Sequence, residues 1–515
     1  MPMSETAQKS LLYKLKPISD RLPAVSRPVG HVHFRTKMMW VLVVLVVYFV
    51  MTNVYIYGLD RGSTMDLFAQ YRTIMAGASG SLLQLGIAPI VTASIIMQLF
   101  VGAKIIKLDL SNSEDKACYQ SVLKLLVLVM IVFEAVPQVF GFLVPSDTAV
   151  DKLGDWGAKS LIVFQLFLGS YIVFLMDEVV SKWGIGSGIS MFIAAGVAES
   201  LFTGTLNWNA VDPGAATSLS NPPAGTIPKA IYVISNTSPA EMSSFGYEYI
   251  LLGEPNPLIA LLGTIAIFLL VAYLESSRIE LPLSHGRARG ARGRYPIKLI
   301  YASNIPVILM SALLANVSMF ALLFYSNDVL SGIPFLGGNG YIGHFEPGET
   351  QAAGGLAWYL SAPMGVTSWL LPILDPGSYY NGHSPLLNLM HVLIYFSVMV
   401  LGSILFAKFW VETTNMGPRA VASQIQRSGM QIPGFRRDPR VLERVLERYI
   451  PAVTVLSGAI VGALAAFADL VGTTGNASGT GVLLAVGIII NFYEAMGREQ
   501  MMEMHPVMRG FFGGD

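Results

Sequence analysis

The chain has 515 residues, of which 53% are hydrophobic and 13% are charged, and its formal net charge is zero. Soluble domains carry roughly 25% charged residues, so this composition excludes an ordinary soluble protein and predicts a polytopic membrane protein. The single cysteine, Cys118, excludes an internal disulfide and a cysteine metal site.

The first 37 residues carry leucine and isoleucine at helical spacing with lysines between them, which predicts a cytosolic amphipathic helix on the membrane surface. The segment 38–57 is then the first apolar run of about 20 residues, the length that a bilayer requires. A broken segment follows at 66–100. The remaining predicted spans are 121–143, 159–180, 185–204, 257–274, 297–324, 386–411, 450–471 and 480–497. The sequence therefore predicts an all-α fold with ten spans, five in each half (38–204 and 257–497).

The broken segment 66–100 begins with small residues and is interrupted at Pro89. It also carries Thr92 and Gln98, which a lipid-facing helix would not need. A membrane segment of this kind is expected to face protein or a water-filled path. Pro306, at the corresponding place in the second half, hints at an inverted repeat with the transport path between the two halves.

Lysine and arginine are concentrated in the amino-terminal lead and in two loops, 275–298 and 412–449. The loop 205–256 contains only Lys229, and the loop 325–385 contains neither lysine nor arginine. The positive-inside rule therefore predicts that both termini, including the tail 498–515, are cytoplasmic and that the two poorly charged loops lie outside.

Few groups in the predicted spans could carry ions or perform chemistry. Glu134 is the best candidate, followed by Asp469 and Glu494 near the ends of spans, but an ion path usually needs paired or clustered groups. The chain has no nucleotide loop, no HExxH and no nucleophile motif. These observations argue against a pump and against an enzyme, and they predict no cofactor.

Two pairs of aliphatic residues stand out instead. Ile87 and Val91 are four residues apart, and so are Ile185 and Ile189 in a glycine-rich segment. Such spacing places both members of a pair on one helix face. A ring of these side chains would form a hydrophobic constriction that dewets and blocks ions. Ordinary helix packing explains the same spacing, and the residues alone leave both interpretations open.

Glycine and arginine alternate in the basic loop 275–298, and a second arginine group follows Gly434 in the loop 412–449. The positive-inside rule accounts for many of these charges. Their concentration in two long loops favours a docking surface for a large anionic partner, such as an RNA phosphate backbone.

Four stretches of the chain resemble the SecY protein-translocation channel family in its archaeal form. They are LGIAPIVTASIIMQLF at 85–100, WGIGSGISMFIAAG at 183–196, LSHGRARGARGRYPIKLIYASNIPVI at 283–308 and GTGVLLAV at 479–486. The resemblance covers nearly the whole chain in order. It implies ten helices in two inverted halves of five, with a second helix broken into a plug and a pore-lining part.

The resemblance also implies roles for individual residues. The implied pore ring is Ile87, Val91, Ile185, Ile189, Ile308 and Leu484. The implied plug lies at about 66–85 and includes Ala76, Gly77, Ala78, Ser79, Gly80 and Ser81, small residues that we expect to be held weakly enough to leave. The implied lateral-gate residues are Thr92, Gln98 and Asn304. The implied ribosome-docking residues are Arg278, Arg289, Arg292, Arg436 and Arg437.

The function that follows from the resemblance is a passive conduit in the cell membrane for unfolded secretory and membrane polypeptides, with lateral release of apolar segments into the lipid bilayer. The implied partners are the ribosome and small membrane subunits resembling SecE and the beta subunit. A secondary transporter for a small solute is the alternative, but it would need convergent polar groups at mid-membrane. A structural membrane scaffold would leave the broken helix unexplained.

Overall fold

The computed structural model describes residues 13, 16–19, 21–60, 72–103, 105–106, 108, 112–212, 214–285, 292–302, 304–326, 340–346, 350–377, 381–414, 416–427, 430–431, 439–475 and 477–504. Its helices are α1 (Phe34–Asn53), α2 (Ala88–Gly102), α3 (Ser113–Gly141), α4 (Asp147–Trp183), α5 (Gly188–Leu206), α6 (Thr226–Asn236), α7 (Pro239–Glu241), α8 (Tyr247–Leu252), α9 (Leu258–Ser276), α10 (Ile305–Ser326), α11 (Gly355–Leu360), α12 (Val366–Leu374), α13 (Pro385–Thr413), α14 (Pro418–Arg427), α15 (Pro439–Val471) and α16 (Gly479–Met504). A π-helical turn, Met242–Gly246, joins α7 to α8.

Within the described residues, nine helices are long and apolar enough to cross a membrane, and the shorter apolar helix α2 adds a tenth element. The nine are α1, α3, α4, α5, α9, α10, α13, α15 and α16. The prediction of a helical polytopic membrane fold with a broken second segment is therefore confirmed. The predicted start of the span at 297–324 is wrong: its helix begins at Ile305, because 292–298 form a strand and a turn follows it.

The outer surface of the helix bundle is apolar, as a bilayer requires. Leu42 on α1, Leu269 on α9 and Leu401 on α13 are each more than 60% exposed. Exposed apolar side chains that recur over several helices mark a surface that meets another apolar phase, which is lipid for helices of this length. Inside the bundle, one continuous apolar cluster draws residues from α1 to α5, α9, α10, α13, α15 and α16.

Three strands form a small sheet at one end of the bundle: β1 (Arg278–His285), β2 (Arg292–Lys298) and β5 (Met430–Gln431). Strands β1 and β2 pair as an antiparallel hairpin, and β5 adds to the other edge of β1 through His285 and Ser284. The two basic loops of the sequence therefore meet in one sheet, with strand order β2-β1-β5. We call this end of the bundle the sheet end.

The segments predicted to lie outside contain regular structure at the opposite end. The first holds α6 to α8, and the second holds α11, α12 and the strands β3 (His344–Phe345) and β4 (Ala352–Gly354). Asn256 attaches the first segment to the turn between α15 and α16, because its Oδ1 accepts a hydrogen bond from Gly475 N at 2.7 Å. Lys229, the one basic residue of 205–256, is fully buried and donates to the Gly253 and Pro255 carbonyl oxygens.

The amino-terminal lead lies against the sheet end of α3 and α4. Residues 16–19 are helical, and Tyr13 Oη donates to Asp115 on α3 at 2.7 Å. Further along, Val25 N donates to Glu178 on α4 at 2.9 Å. Most of the leucines that predicted the amphipathic helix lie outside the described residues, so that prediction stays open.

Candidate functional site

Five of the six predicted ring residues adjoin the central apolar cluster. Ile87 and Leu484 are fully buried, and Val91 and Ile308 are 4% and 7% exposed. These four belong to the cluster itself, and Ile189 is half-buried and packs against it. Ile87 immediately precedes α2, and α2, α5, α10 and α16 carry the other four side chains, so the cluster joins both halves of the chain.

Ile185 is the exception. The sequence predicted that Ile185 and Ile189 share one helix, but α5 begins only at Gly188. Ile185 instead lies in the turn between α4 and α5; it is buried, yet outside the central cluster. The turn persists because Gly188 packs on the Asp177 backbone, and the Asp177 carboxylate accepts from Ile189 N at 3.0 Å. The residue one turn after Ile189 is Ile193, which is fully buried within the cluster.

Residues 73–76 lie between α5 and α16, and Ile74, Met75 and Ala76 belong to the same apolar cluster. A Cβ added to Gly196 of α5 would lie 3.7 Å from the Thr73 carbonyl oxygen. A Cβ added to Gly481 of α16 would lie 3.4 Å from the Thr73 hydroxyl oxygen. Gly196 is three residues past Ile193, and Gly481 is three residues before Leu484. The segment 73–76 is therefore about one helical turn further from the sheet end than these two side chains.

A tight turn at Gly86 joins this segment to α2. Gly86 has φ +55°, and a Cβ there would lie 2.1 Å from the Met75 carbonyl oxygen. The same oxygen accepts a hydrogen bond from Ile87 N at 2.8 Å. Only glycine fits this position. The backbone of Ile87 is thus fastened to Met75 in the segment 73–76.

The small-residue stretch 76–81 is held by several hydrogen bonds. Tyr48 Oη donates to Ala76 O at 3.2 Å, Ile56 N donates to Gly80 O at 3.0 Å, and Gly80 N donates to Gln84 Oε1 at 2.7 Å. Residues 72–87 form turns up to the start of α2. These bonds hold the small residues in the closed arrangement, and their weak retention stays a prediction. The earlier part of the implied plug, 66–71, lies outside the described residues.

A cavity of about 240 Å³ opens on the sheet side of the cluster, between α1, α5, α10 and α16. Its walls are mainly apolar, with Leu45, Ile308 and Phe492 among the lining side chains. Asn304 also lines it, from the position just before α10. The Asn304 side chain lies against the backbone of Gly487 on α16. A gate role for Asn304 beside Thr92 was expected, but its described contact is with α16.

The polar contact between α2 and α10 comes from a residue that the sequence analysis did not single out. Asn316 Nδ2 on α10 donates to Thr92 Oγ1 on α2 at 2.9 Å. Glu134 on α3 is 1% exposed and lies near the same hydroxyl, and neither of its carboxylate oxygens has a hydrogen-bond partner among the described residues. Gln98, two turns further along α2, is 5% exposed, and its Oε1 has no hydrogen-bond partner among the described residues. A buried polar seam therefore joins α2, α3 and α10.

Of the predicted docking arginines, only Arg278 has a described side chain. Arg278 is half-exposed and forms an ion pair with Glu494 on α16 at 3.0 Å. Lys298 at the end of β2 pairs with the same carboxylate at 2.8 Å. Arg278 thus fastens the base of the hairpin to the bundle. Arg292 lies on β2 with its side chain outside the described set, and Arg289, Arg436 and Arg437 lie outside the described residues.

Ile193 of the cluster and Asn316 of the polar seam are residues that the sequence analysis did not single out. The sequence carried a signal for Ile193, since it follows Ile189 by four residues as Ile189 follows Ile185. Asn316 carried a weaker signal, because one polar residue in an apolar helix is compatible with many helix faces.

The comparisons with known proteins agree with this architecture. A family model described as SecY matches residues 81–493, and one described as the plug domain of Sec61p matches residues 46–80. The protein translocase subunit SecY of Archaeoglobus fulgidus is 46% identical over 508 residues, which cover 98% of this chain and 99% of that protein.

Two solved structures also match. One is described as a protein conducting channel; it is 39% identical with a TM-score of 0.75, and the match covers 95% of this chain and 98% of that one. The other is Sec61 in a canine ribosome–channel complex from the endoplasmic reticulum; it is 38% identical with a TM-score of 0.72 and the same coverage. The resemblance inferred from the sequence is confirmed.

Proposed function

Because the chain belongs to the SecY family of protein translocase subunits, we propose that it is a gated conduit for unfolded secretory polypeptides, with lateral release of apolar segments into lipid. It is a multi-pass protein of the cell membrane. In this proposal the chain performs no catalysis and needs no cofactor. The translating ribosome supplies the energy, and small membrane subunits resembling SecE and the beta subunit complete the channel.

The observation that carries the proposal is the order of three features along the bundle axis. The apolar cavity lies at the sheet end, the aliphatic side chains of Ile193 and Leu484 follow, and the segment 73–76 lies about one helical turn beyond them. In this proposal the constriction consists of Ile87, Val91, Ile189, Ile308 and Leu484, with Ile193 in place of Ile185. Aliphatic side chains exclude water when they meet and can part around a chain without leaving a buried charge unpaired.

The plug of the conduit is the segment 66–85 in this proposal. Hydrogen bonds to α1 and to the following chain hold its described residues, from 72 onward, in the closed arrangement. The Gly86 turn links the plug to Ile87, so we expect release of the plug to move the constriction as well.

The lateral gate in this proposal is the seam between α2 and α10. Thr92 and Asn316 hold it closed through one hydrogen bond, with Glu134 beside them. A seam with a few polar groups is only marginally stable in contact with lipid. An apolar segment of about 20 residues that replaces these contacts can then leave sideways, because its transfer into the bilayer is favourable.

The ribosome docks on the sheet end in this proposal. The solved Sec61 relative is described in a ribosome–channel complex. Here the three-stranded sheet unites the two basic loops that carry Arg289, Arg292, Arg436 and Arg437. Their guanidinium groups suit the phosphates of ribosomal RNA.

Site-specific photocrosslinking to a stalled secretory chain tests the conduit. A photoreactive residue at 87, 189, 193 or 308 should crosslink to the stalled chain, whereas one at Leu269 on the exposed face of α9 should not. Equal crosslinking at Leu269 would contradict a central path. Absence of crosslinks at the four inner positions, together with saturable binding of a small solute, would favour a secondary transporter instead.

A further inference from the structure

Asn304 has a side chain whose hydrogen-bonding capacity is unused within the described part of the chain. The residue is 3% exposed, and neither Nδ2 nor Oδ1 has a hydrogen-bond partner among the described residues. A buried polar group without a partner lowers stability, because it loses its hydrogen bonds to water and gains none in the protein. Such a group in a cavity that leads to a constriction calls for an explanation.

The position of Asn304 offers an ordinary role, and the side chain does not take it. Asn304 immediately precedes α10, and its carbonyl oxygen accepts from Val307 N and Ile308 N. Asparagine at this position normally caps the helix, with Oδ1 accepting a backbone N–H of the first turn. Here Oδ1 makes no such bond. Helix capping therefore does not account for the carboxamide.

The opposite helix makes room for this carboxamide. A Cβ on Gly487 of α16 would lie 1.7 Å from Asn304 Nδ2, so any other residue at 487 would displace the amide. Glycine inside a helix is itself unfavourable relative to alanine. Both Gly487 and the unpaired amide thus lower stability, and together they let the carboxamide lie buried against α16, beside the cavity that Asn304 lines.

The location of the carboxamide identifies the group it can bind. Asn304 is one turn nearer the sheet end than Ile308, and Gly487 is three residues nearer that end than Leu484. The other amide that lines this cavity, Asn491, has a partner, because its Oδ1 accepts a hydrogen bond from Lys298 Nζ at 3.0 Å. A polypeptide that enters the constriction must give up the water on its backbone, and a primary carboxamide offers the same donor and acceptor as a peptide group.

We propose that Asn304 is a positioning residue that hydrogen-bonds the backbone of the translocating polypeptide as it enters the constriction. Oδ1 accepts from a backbone N–H of the passing chain, and Nδ2 donates to a backbone carbonyl oxygen. The contact is independent of side chains, as a conduit for many sequences requires. This inference rests on the proposed conduit function and adds a residue with a defined role to it.

The test measures the translocation rates of two substrates into proteoliposomes that contain the chain with its small subunits. Each substrate is delivered as a stalled ribosome–nascent chain and is then released. The first substrate carries an ordinary polar stretch of ten residues. The second carries the same side chains with ester linkages in place of amides, so that the stretch has no N–H to donate. Asn304→Leu should slow the first substrate about fivefold and the second less than twofold. Asn236→Leu, an exposed asparagine on α6, is the matched control and should change neither rate.

Gly487→Ala is a second variant that tests the same contact in case Asn304→Leu does not fold. It keeps Asn304 and favours the α16 helix, but its methyl group displaces the carboxamide, so it should slow the amide substrate and spare the ester substrate in the same way. Equal slowing of both substrates would show a purely structural role, and no slowing of either would remove the contact. Photocrosslinks from position 308 separate the two proposals: if they persist while the substrate difference is missing, the conduit stands and the role of Asn304 fails.

Discussion

Replacing Gly86 by alanine perturbs the turn that fastens Ile87 to the segment beyond it. The added Cβ would lie 2.1 Å from Met75 O, and real Cβ contacts stay beyond 3.0 Å, so the two must separate by about 0.9 Å. The left-handed φ of +55° costs an alanine about 1–2 kcal/mol. Loss of the 2.8 Å hydrogen bond from Ile87 N to Met75 O costs about 1 kcal/mol more. The closed arrangement is then weakened by about 2–3 kcal/mol, or roughly 30- to 150-fold in its equilibrium.

The assay is the ion conductance of the purified channel complex in planar bilayers with no substrate present. Gly86→Ala should raise the resting conductance by at least about thirtyfold, because the seal opens more often. Gly154→Ala is the matched control: Gly154 has φ +72° inside α4, but a Cβ there meets nothing within 4 Å, so it shares the backbone strain without the clash. A conductance of Gly86→Ala that equals that of Gly154→Ala would refute the reasoning.

Three further outcomes are expected. Glu494→Gln removes the carboxylate that pairs with Lys298 at 2.8 Å, a contact worth about 1 kcal/mol or less. Ribosome affinity should fall by no more than about fivefold at low salt and should be unchanged at high salt. An equal loss of affinity at high salt would contradict an ionic role. Asn316→Ala removes the 2.9 Å hydrogen bond to Thr92, which is worth about 1 kcal/mol, so marginally apolar segments should enter lipid up to about fivefold more often. If membrane integration of these segments is unchanged, this hydrogen bond does not hold the seam closed. Burial lowers the pKa of Lys229 from 10.5 to about 8, so between these pH values the unfolded chain binds more protons than the folded chain. The thermal stability of the wild type relative to Lys229→Met should therefore rise by up to about 3 kcal/mol as pH increases from 8 to 10.5. A stability difference that does not change with pH would contradict this.

Local patterns in the sequence were enough for the class of fold and for the family. Apolar runs of bilayer length predicted the helices, because each such segment must satisfy its own backbone hydrogen bonds in lipid. The start of α10 was misplaced because 292–298 contain alternating residues that pair with β1, and strand pairing depends on a distant partner. The aliphatic pair Ile87 and Val91 was found from spacing alone, since Ile87 is the N-cap residue of α2 and Val91 lies in its first turn.

Tertiary structure decided which residues face each other. Ile185 and Ile193 both lie four residues from Ile189, and only the start of α5 at Gly188 distinguishes them. Similarly, Asn304 and Asn316 are both polar residues at the edge of or inside α10, but one lies against α16 and the other bonds α2. The physical reason is that each helical residue rotates the side chain by about 100°, so the direction of a side chain depends on where the helix begins and which neighbour it meets.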